Sequence, residues 1–138
     1  MAANAGRWPR DFQIFAGLCV LWSVVLMARA LFNLSAGGVR IEDVIFGVKF
    51  YGDHARVTMA LQAVVIAAFG IGILMRRSWG LILALLYMAQ VVIGHVIFIT
   101  SNLSVESQHI HVKIASIESP VILLIALYVW YRSRPLLA

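Results

Sequence analysis

The sequence predicts an all-α integral membrane protein, a four-helix transmembrane bundle with up-down connectivity and both termini on the cytoplasmic side. Three observations carry this. Of the 138 residues, 62% are apolar and 12% charged, and the mean hydropathy is +0.93, outside the range of water-soluble domains. The apolar residues arrive in four runs of about 20, the length that crosses about 30 Å of hydrocarbon at about 1.5 Å per residue. Basic residues cluster at the run ends that fall on one side when the spans alternate in direction. Together they describe a single transmembrane domain over residues 1–138.

The first span is read over Phe12 to Leu34. Arg7 and Arg10 before it resemble the start of a signal peptide, but the apolar run is too long and no small-x-small cleavage site closes it before Arg29. It is therefore taken as a mature helix. Spans two, three and four are read over His54 to Met75, Trp79 to Thr100 and Val112 to Tyr131. Only Arg76, Arg77 and Ser78 separate spans two and three, which forces a tight helical hairpin there. Gly70 and Gly72 in span two are read as close-packing positions. Pro120, early in span four, is read as a tolerated proline, because few backbone bonds are lost in the first turns of a helix.

Orientation follows from charge. Arg7, Arg10, Arg76, Arg77, Arg132 and Arg134 all fall on one side, in short segments beside helix ends and opposed only by Asp11; this is the positive-inside signature. Trp8, Trp79, Tyr128, Trp130 and Tyr131 gather at the same face as an interfacial belt. That face is assigned to the cytoplasm, and the membrane to the bacterial cytoplasmic (inner) membrane. The 11 Lys and Arg residues are explained by topology, so no nucleic-acid partner is expected. The single cysteine, Cys19, excludes an intramolecular disulfide and any multi-cysteine metal motif.

The outer connection between spans one and two, residues 35–53, is unusually apolar. Val39, Ile41, Val44, Ile45, Phe46, Phe50 and Tyr51 suit a segment that lies along the interface, covers the outer mouth of the bundle or docks a partner.

In so apolar a chain, ionisable residues within spans carry the most information, because each costs several kcal/mol unless paired or wetted. Arg29, His95 and Glu118 lie at one depth, about 7 to 8 Å inside the outer boundary at about 1.5 Å per residue. Their simplest role is a packing clasp, an Arg29–Glu118 ion pair with His95 beside it. Gln90, one turn deeper than His95, extends the polar track toward the midplane. His54, Thr58 and Gln62 form a stripe at helical spacing, and His111 and Glu118 share a face.

His54, His95, His109 and His111 all belong to the outer half. With Glu118 they form a candidate metal or haem set, since imidazoles and a carboxylate suit copper, zinc or iron and two imidazoles suit a haem. No H-E-x-x-H-type motif supports it, so no cofactor is the default. Three classes of function compete. The leading one is a non-catalytic subunit or assembly factor of a larger membrane complex, whose partners are the lipid bilayer and other membrane subunits or further copies of this chain. The second is a redox or metal-handling protein holding haem, copper or a quinone head group at its outer histidines. The third is a proton-coupled transporter acting through Glu118, as a homodimer. No triad motif marks the chain as an enzyme on its own.

Overall fold

The computed structural model describes residues 8–32, 42–106 and 109–137. It contains four helices and one hairpin: α1 (Arg10–Phe32), β1 (Glu42–Ile45), β2 (Val48–Tyr51), α2 (Gly52–Leu74), α3 (Ser78–Asn102) and α4 (His109–Leu137). All four helices are long and apolar enough to cross a membrane, which marks the chain as an integral membrane protein. The helices start within about three residues of the sequence expectation. The main difference lies in α4, which begins at His109 and runs through Pro120 to Leu137, so His109 and His111 belong to its first turn. Val39 and Ile41 lie outside the described residues.

The bundle has a turn side, with the α2–α3 connection, and a hairpin side, with β1 and β2. The core lies toward the turn side. Phe12 and Ala16 of α1, Ile66, Phe69 and Ile73 of α2, Leu81, Ala84 and Met88 of α3 and Val129 of α4 form one buried cluster. Glycines set the helix spacing. A Cβ on Gly80 would stand 2.6 Å from the Ile73 nitrogen and 2.7 Å from the Gly72 carbonyl carbon, so α2 and α3 meet backbone to backbone. A Cβ on Gly70 would stand 2.9 Å from Val20 of α1. These contacts support the close-packing reading of the glycines.

On the turn side α1 and α4 are also tied by polar groups. The Tyr128 hydroxyl donates a short hydrogen bond to Asp11, and Arg132 lies 3.5 Å from the same carboxylate. On the hairpin side Arg56 of α2 caps α1: its Nε donates to the Ala30 carbonyl at 2.7 Å and its Nη2 to the Leu31 carbonyl at 3.1 Å. A guanidinium thereby satisfies two of the carbonyls that the end of a helix leaves open.

The apolar outer connection is a β-hairpin. Its strands are antiparallel, with Glu42 opposite Tyr51, Asp43 opposite Phe50, Val44 opposite Lys49 and Ile45 opposite Val48. The two-residue turn Phe46-Gly47 has positive φ at both positions, 50° and 79°, the pattern whose twist matches that of the flanking strands. Phe46 is a rare occupant of that conformation. It is held there by α3: a Cβ on Gly94 would stand 3.2 Å from the Phe46 nitrogen, and one on Gly47 would stand 2.5 Å from Ile97.

Strand alternation sends one face of this hairpin to each pair of helices. Phe50 packs on Ala30, Ala55 and Met59 of α1 and α2. Val44 packs on Phe98, Val112 and Ala115 of α3 and α4. The hairpin is thus a wedge between the α1–α2 pair and the α3–α4 pair, and it covers the hairpin-side mouth of the bundle. Backbone with no helical hydrogen bonding is tolerated beside membrane helices where protein covers it or where it lines a polar cavity, and this hairpin packs on both helix pairs and lines a cavity.

Candidate functional site

A wedge at one end and a packed core at the other leave space between, and that space is polar. A cavity of about 380 Å³ lies beneath the hairpin, with lining residues from every element. α1 contributes Trp22, Leu26 and Arg29, spaced to share one helix face; the hairpin contributes Glu42, Asp43, Val44 and Lys49. Met59 and Gln62 come from α2, Tyr87, Gln90, Val91, Gly94 and His95 from α3, and His111, Glu118 and Ile122 from α4.

One part of the lining is a closed hydrogen-bond network. The Asp43 carboxylate accepts from the Thr58 hydroxyl at 2.5 Å, from the Gln62 amide nitrogen at 2.8 and 3.0 Å, and from the Val44 N–H at 3.0 Å. The Gln62 carbonyl oxygen accepts from the Tyr87 hydroxyl at 2.7 Å. The chain Asp43–Gln62–Tyr87 therefore links hairpin, α2 and α3. Gln62 lies about 15 Å along α2 from Gly52 at about 1.5 Å per residue. A carboxylate at that depth is tolerated because its lone pairs are filled.

The other charges are distributed unevenly. Lys49 donates to Glu42 at 3.0 Å, a diagonal cross-strand pair, and sits 5.6 Å from the centre of the Phe98 ring. His111 approaches Glu42 at 4.0 Å. His95 Nε2 lies 3.9 Å from Glu118, beyond hydrogen-bond length, and its buried Nδ1 has no hydrogen-bond partner among the described residues. Arg29 lines the cavity and has no ion pair with a carboxylate among the described residues.

Arg29, His95, Glu118 and Gln90 do line one cavity. The expected Arg29–Glu118 ion pair is not formed; the nearest ionisable contact of Glu118 is His95. The two residues sit on α1 and α4, which the wedge keeps apart. Of the candidate metal or haem set, His95, His111 and Glu118 reach the cavity, whereas His54 and His109 are exposed on the first turns of α2 and α4 and do not line it. No three His, Cys, Asp or Glu gather closely enough to hold a metal ion among the described residues. In the apolar connection, Val44 and Phe50 turn inward, while Phe46 and Tyr51 are 54% and 45% exposed.

Sequence reasoning passed over Glu42, Asp43 and Lys49, because it placed them in an outer loop. Tyr87 also carried a signal: a phenol in an apolar span needs a partner for its hydroxyl.

A second cavity, of about 410 Å³, runs along the bundle beside the first. It is apolar, lined by Phe15, Leu18, Cys19 and Trp22 of α1, Ile66 and Phe69 of α2, Tyr87, Met88 and Val91 of α3 and Ile122 and Ile125 of α4. Trp22, Tyr87, Val91 and Ile122 belong to both linings, so the two cavities lie side by side, charged groups lining the first and apolar ones the second. Both α1 and α4 line the apolar cavity, and these two helices pack far less closely on each other than the sequence-adjacent pairs do. No family model, curated protein or solved structure matches the chain.

Proposed function

We propose that this protein binds a membrane amphiphile, which enters from the bilayer through the α1–α4 seam, places its polar head in the cavity beneath the hairpin and lays its hydrocarbon along the apolar groove. The observation that carries this reading is the adjacency of the two cavities, which share Trp22, Tyr87, Val91 and Ile122 as lining. Ligand sites are concave, mostly apolar and supplied with a few converging polar groups, and this cleft has that character along a lateral opening. A water-soluble ligand would have no use for the groove.

The orientation that accompanies this proposal is up-down with both termini cytoplasmic, in a bacterial inner membrane. It is supported by Arg10, Arg76, Arg77, Arg132 and Arg134 at the turn side. The polar end of the cleft then opens toward the outer leaflet. Phosphatase and fluorescent-protein fusions to the C-terminus test this: activity of the phosphatase fusion would reverse it.

The expectation of an accessory subunit keeps one specific support, since the loosely packed α1–α4 seam would also be open to a transmembrane helix of a partner. The two readings separate by thermal unfolding in detergent. A ligand that binds only the folded state stabilises it by about 2.7 kcal/mol at a hundred times its dissociation constant. Added phospholipid is expected to raise the unfolding temperature saturably, and the double substitution Val91→Phe and Ile122→Phe, which fills the waist of the cleft, is expected to abolish that rise. A rise that is unsaturable, or equal in the filled variant, rejects the proposal.

A further inference from the structure

Resting on that reading, we infer that the ligand is a phospholipid whose phosphodiester carries a hydrogen-bond donor, an amine or a hydroxyl, with the phosphate on Arg29 and the donor on Glu118. Some charges of the cavity are already satisfied. Glu42 has Lys49 at 3.0 Å. Asp43 has three neutral donors. Neither asks anything of a ligand.

Two groups are left with unmet demands. The Arg29 guanidinium, in a helix that crosses the membrane, has no carboxylate partner among the described residues, and a charge in that position is costly until it is paired. Its planar fork suits a phosphate oxyanion in two-point contact. Glu118, on the other wall, has among the described residues only His95, at 3.9 Å, and its side chain is 56% exposed; an ionised carboxylate can only accept hydrogen bonds.

The cavity's ionisable groups also exclude a simple anion. Two cations, Arg29 and Lys49, face three carboxylates, Glu42, Asp43 and Glu118, a sum of −1 with both histidines neutral. An isolated phosphate or carboxylate would meet Glu118 with nothing to offer it. A head that bears its own donor beyond the phosphate complements both walls, and its acyl chains occupy the groove. Phosphatidylethanolamine and phosphatidylglycerol have that head; phosphatidylcholine has a quaternary ammonium with no N–H, and phosphatidic acid has no group beyond the phosphate.

Trp22 lines both head cavity and tail groove, so it reports directly. With Trp8, Trp79 and Trp130 changed to Phe, its fluorescence is titrated in detergent with lipids of brominated acyl chains, and the saturable quenching absent from the Val91→Phe, Ile122→Phe variant is taken as cleft binding. Phosphatidylethanolamine and phosphatidylglycerol are expected to bind at least tenfold tighter than phosphatidylcholine and phosphatidic acid. Arg29→Gln is expected to weaken all four at least tenfold, with Arg29→Lys intermediate. Glu118→Gln is expected to erase the preference for donor-bearing heads while phosphatidylcholine binds as before. Tighter binding of the amine head than of the hydroxyl head would identify the donor as an ammonium, and the reverse as a hydroxyl. Saturable binding that ignores the head group, or a preference untouched by Arg29→Gln and Glu118→Gln, overturns this inference and leaves the amphiphile cleft standing. Absence of saturable quenching by any lipid defeats both.

Discussion

Removing the Asp43 carboxylate should release the wedge. In Asp43→Ala, the Gln62 amide nitrogen loses its acceptor in a space it cannot leave, since its oxygen is held by Tyr87 at 2.7 Å. Thr58 is less affected, because its hydroxyl has the Ala55 carbonyl at 2.9 Å as a second acceptor. Hydrogen bonds to a charged group contribute about 1.5–3 kcal/mol each, and a stranded buried donor costs about 1–3 kcal/mol. Relief of the carboxylate's own desolvation offsets part of this. The balance is a loss of about 3 kcal/mol in the docking of the hairpin, about a hundredfold in its opening equilibrium. Hydrogen exchange followed by mass spectrometry in lipid nanodiscs reads this: exchange over Glu42 to Tyr51 should accelerate about a hundredfold, while α2 and α3 near the turn side keep their protection. Asp43→Asn, which retains one acceptor for Gln62, should accelerate it less. Unchanged exchange in Asp43→Ala would refute the view that this network fixes the hairpin.

Other substitutions separate the parts of the structure. Gly80→Ala places a methyl 2.6 Å from backbone of α2 and should destabilise the protein by about 1–3 kcal/mol or more in denaturant titration, whereas Gly17→Ala, with nothing within 4 Å, should be close to neutral. Gly94→Val should push the Phe46-Gly47 turn off α3 and raise hairpin exchange as Asp43→Ala does, leaving turn-side protection intact. Arg56→Met removes two bonds to the end of α1 and should cost about 1–2 kcal/mol in the same titration, less than two fully buried charged bonds because Arg56 is partly exposed. Tyr128→Phe loosens the turn-side tie between α1 and α4 and should speed the alkylation of Cys19, which lies on the seam's groove.

The four helices were legible in the sequence because membrane spans announce themselves by length and apolarity alone, and Arg29, Gln90, His95 and Glu118 were legible because an ionisable or amide group in such a span is conspicuous. The hairpin was not. A strand with one wet face shows alternation, but the hairpin of residues 42–51 packs on helices from both faces, Phe50 against α1 and α2 and Val44 against α3 and α4, so apolar residues appear on both. The turn carries Phe46 where Asn or Asp would be the usual sign. Missing the wedge also misplaced the charges: a pair between Arg29 and Glu118 was the natural expectation for a closed bundle, and the structure holds those two helices apart. It also hid Asp43, Glu42 and Lys49 as cavity residues, since a loop in water would leave them solvated.

If this reading is right, the cleft between α1 and α4 holds one amphiphile. The most direct test is native mass spectrometry of the protein released from gentle detergent. A single lipid mass per chain should survive delipidation of the annulus and should disappear in the Val91→Phe, Ile122→Phe variant while the chain stays folded. A heterogeneous series of lipid adducts unchanged by filling the cleft would contradict it, as would a second polypeptide at fixed stoichiometry occupying the seam in place of lipid.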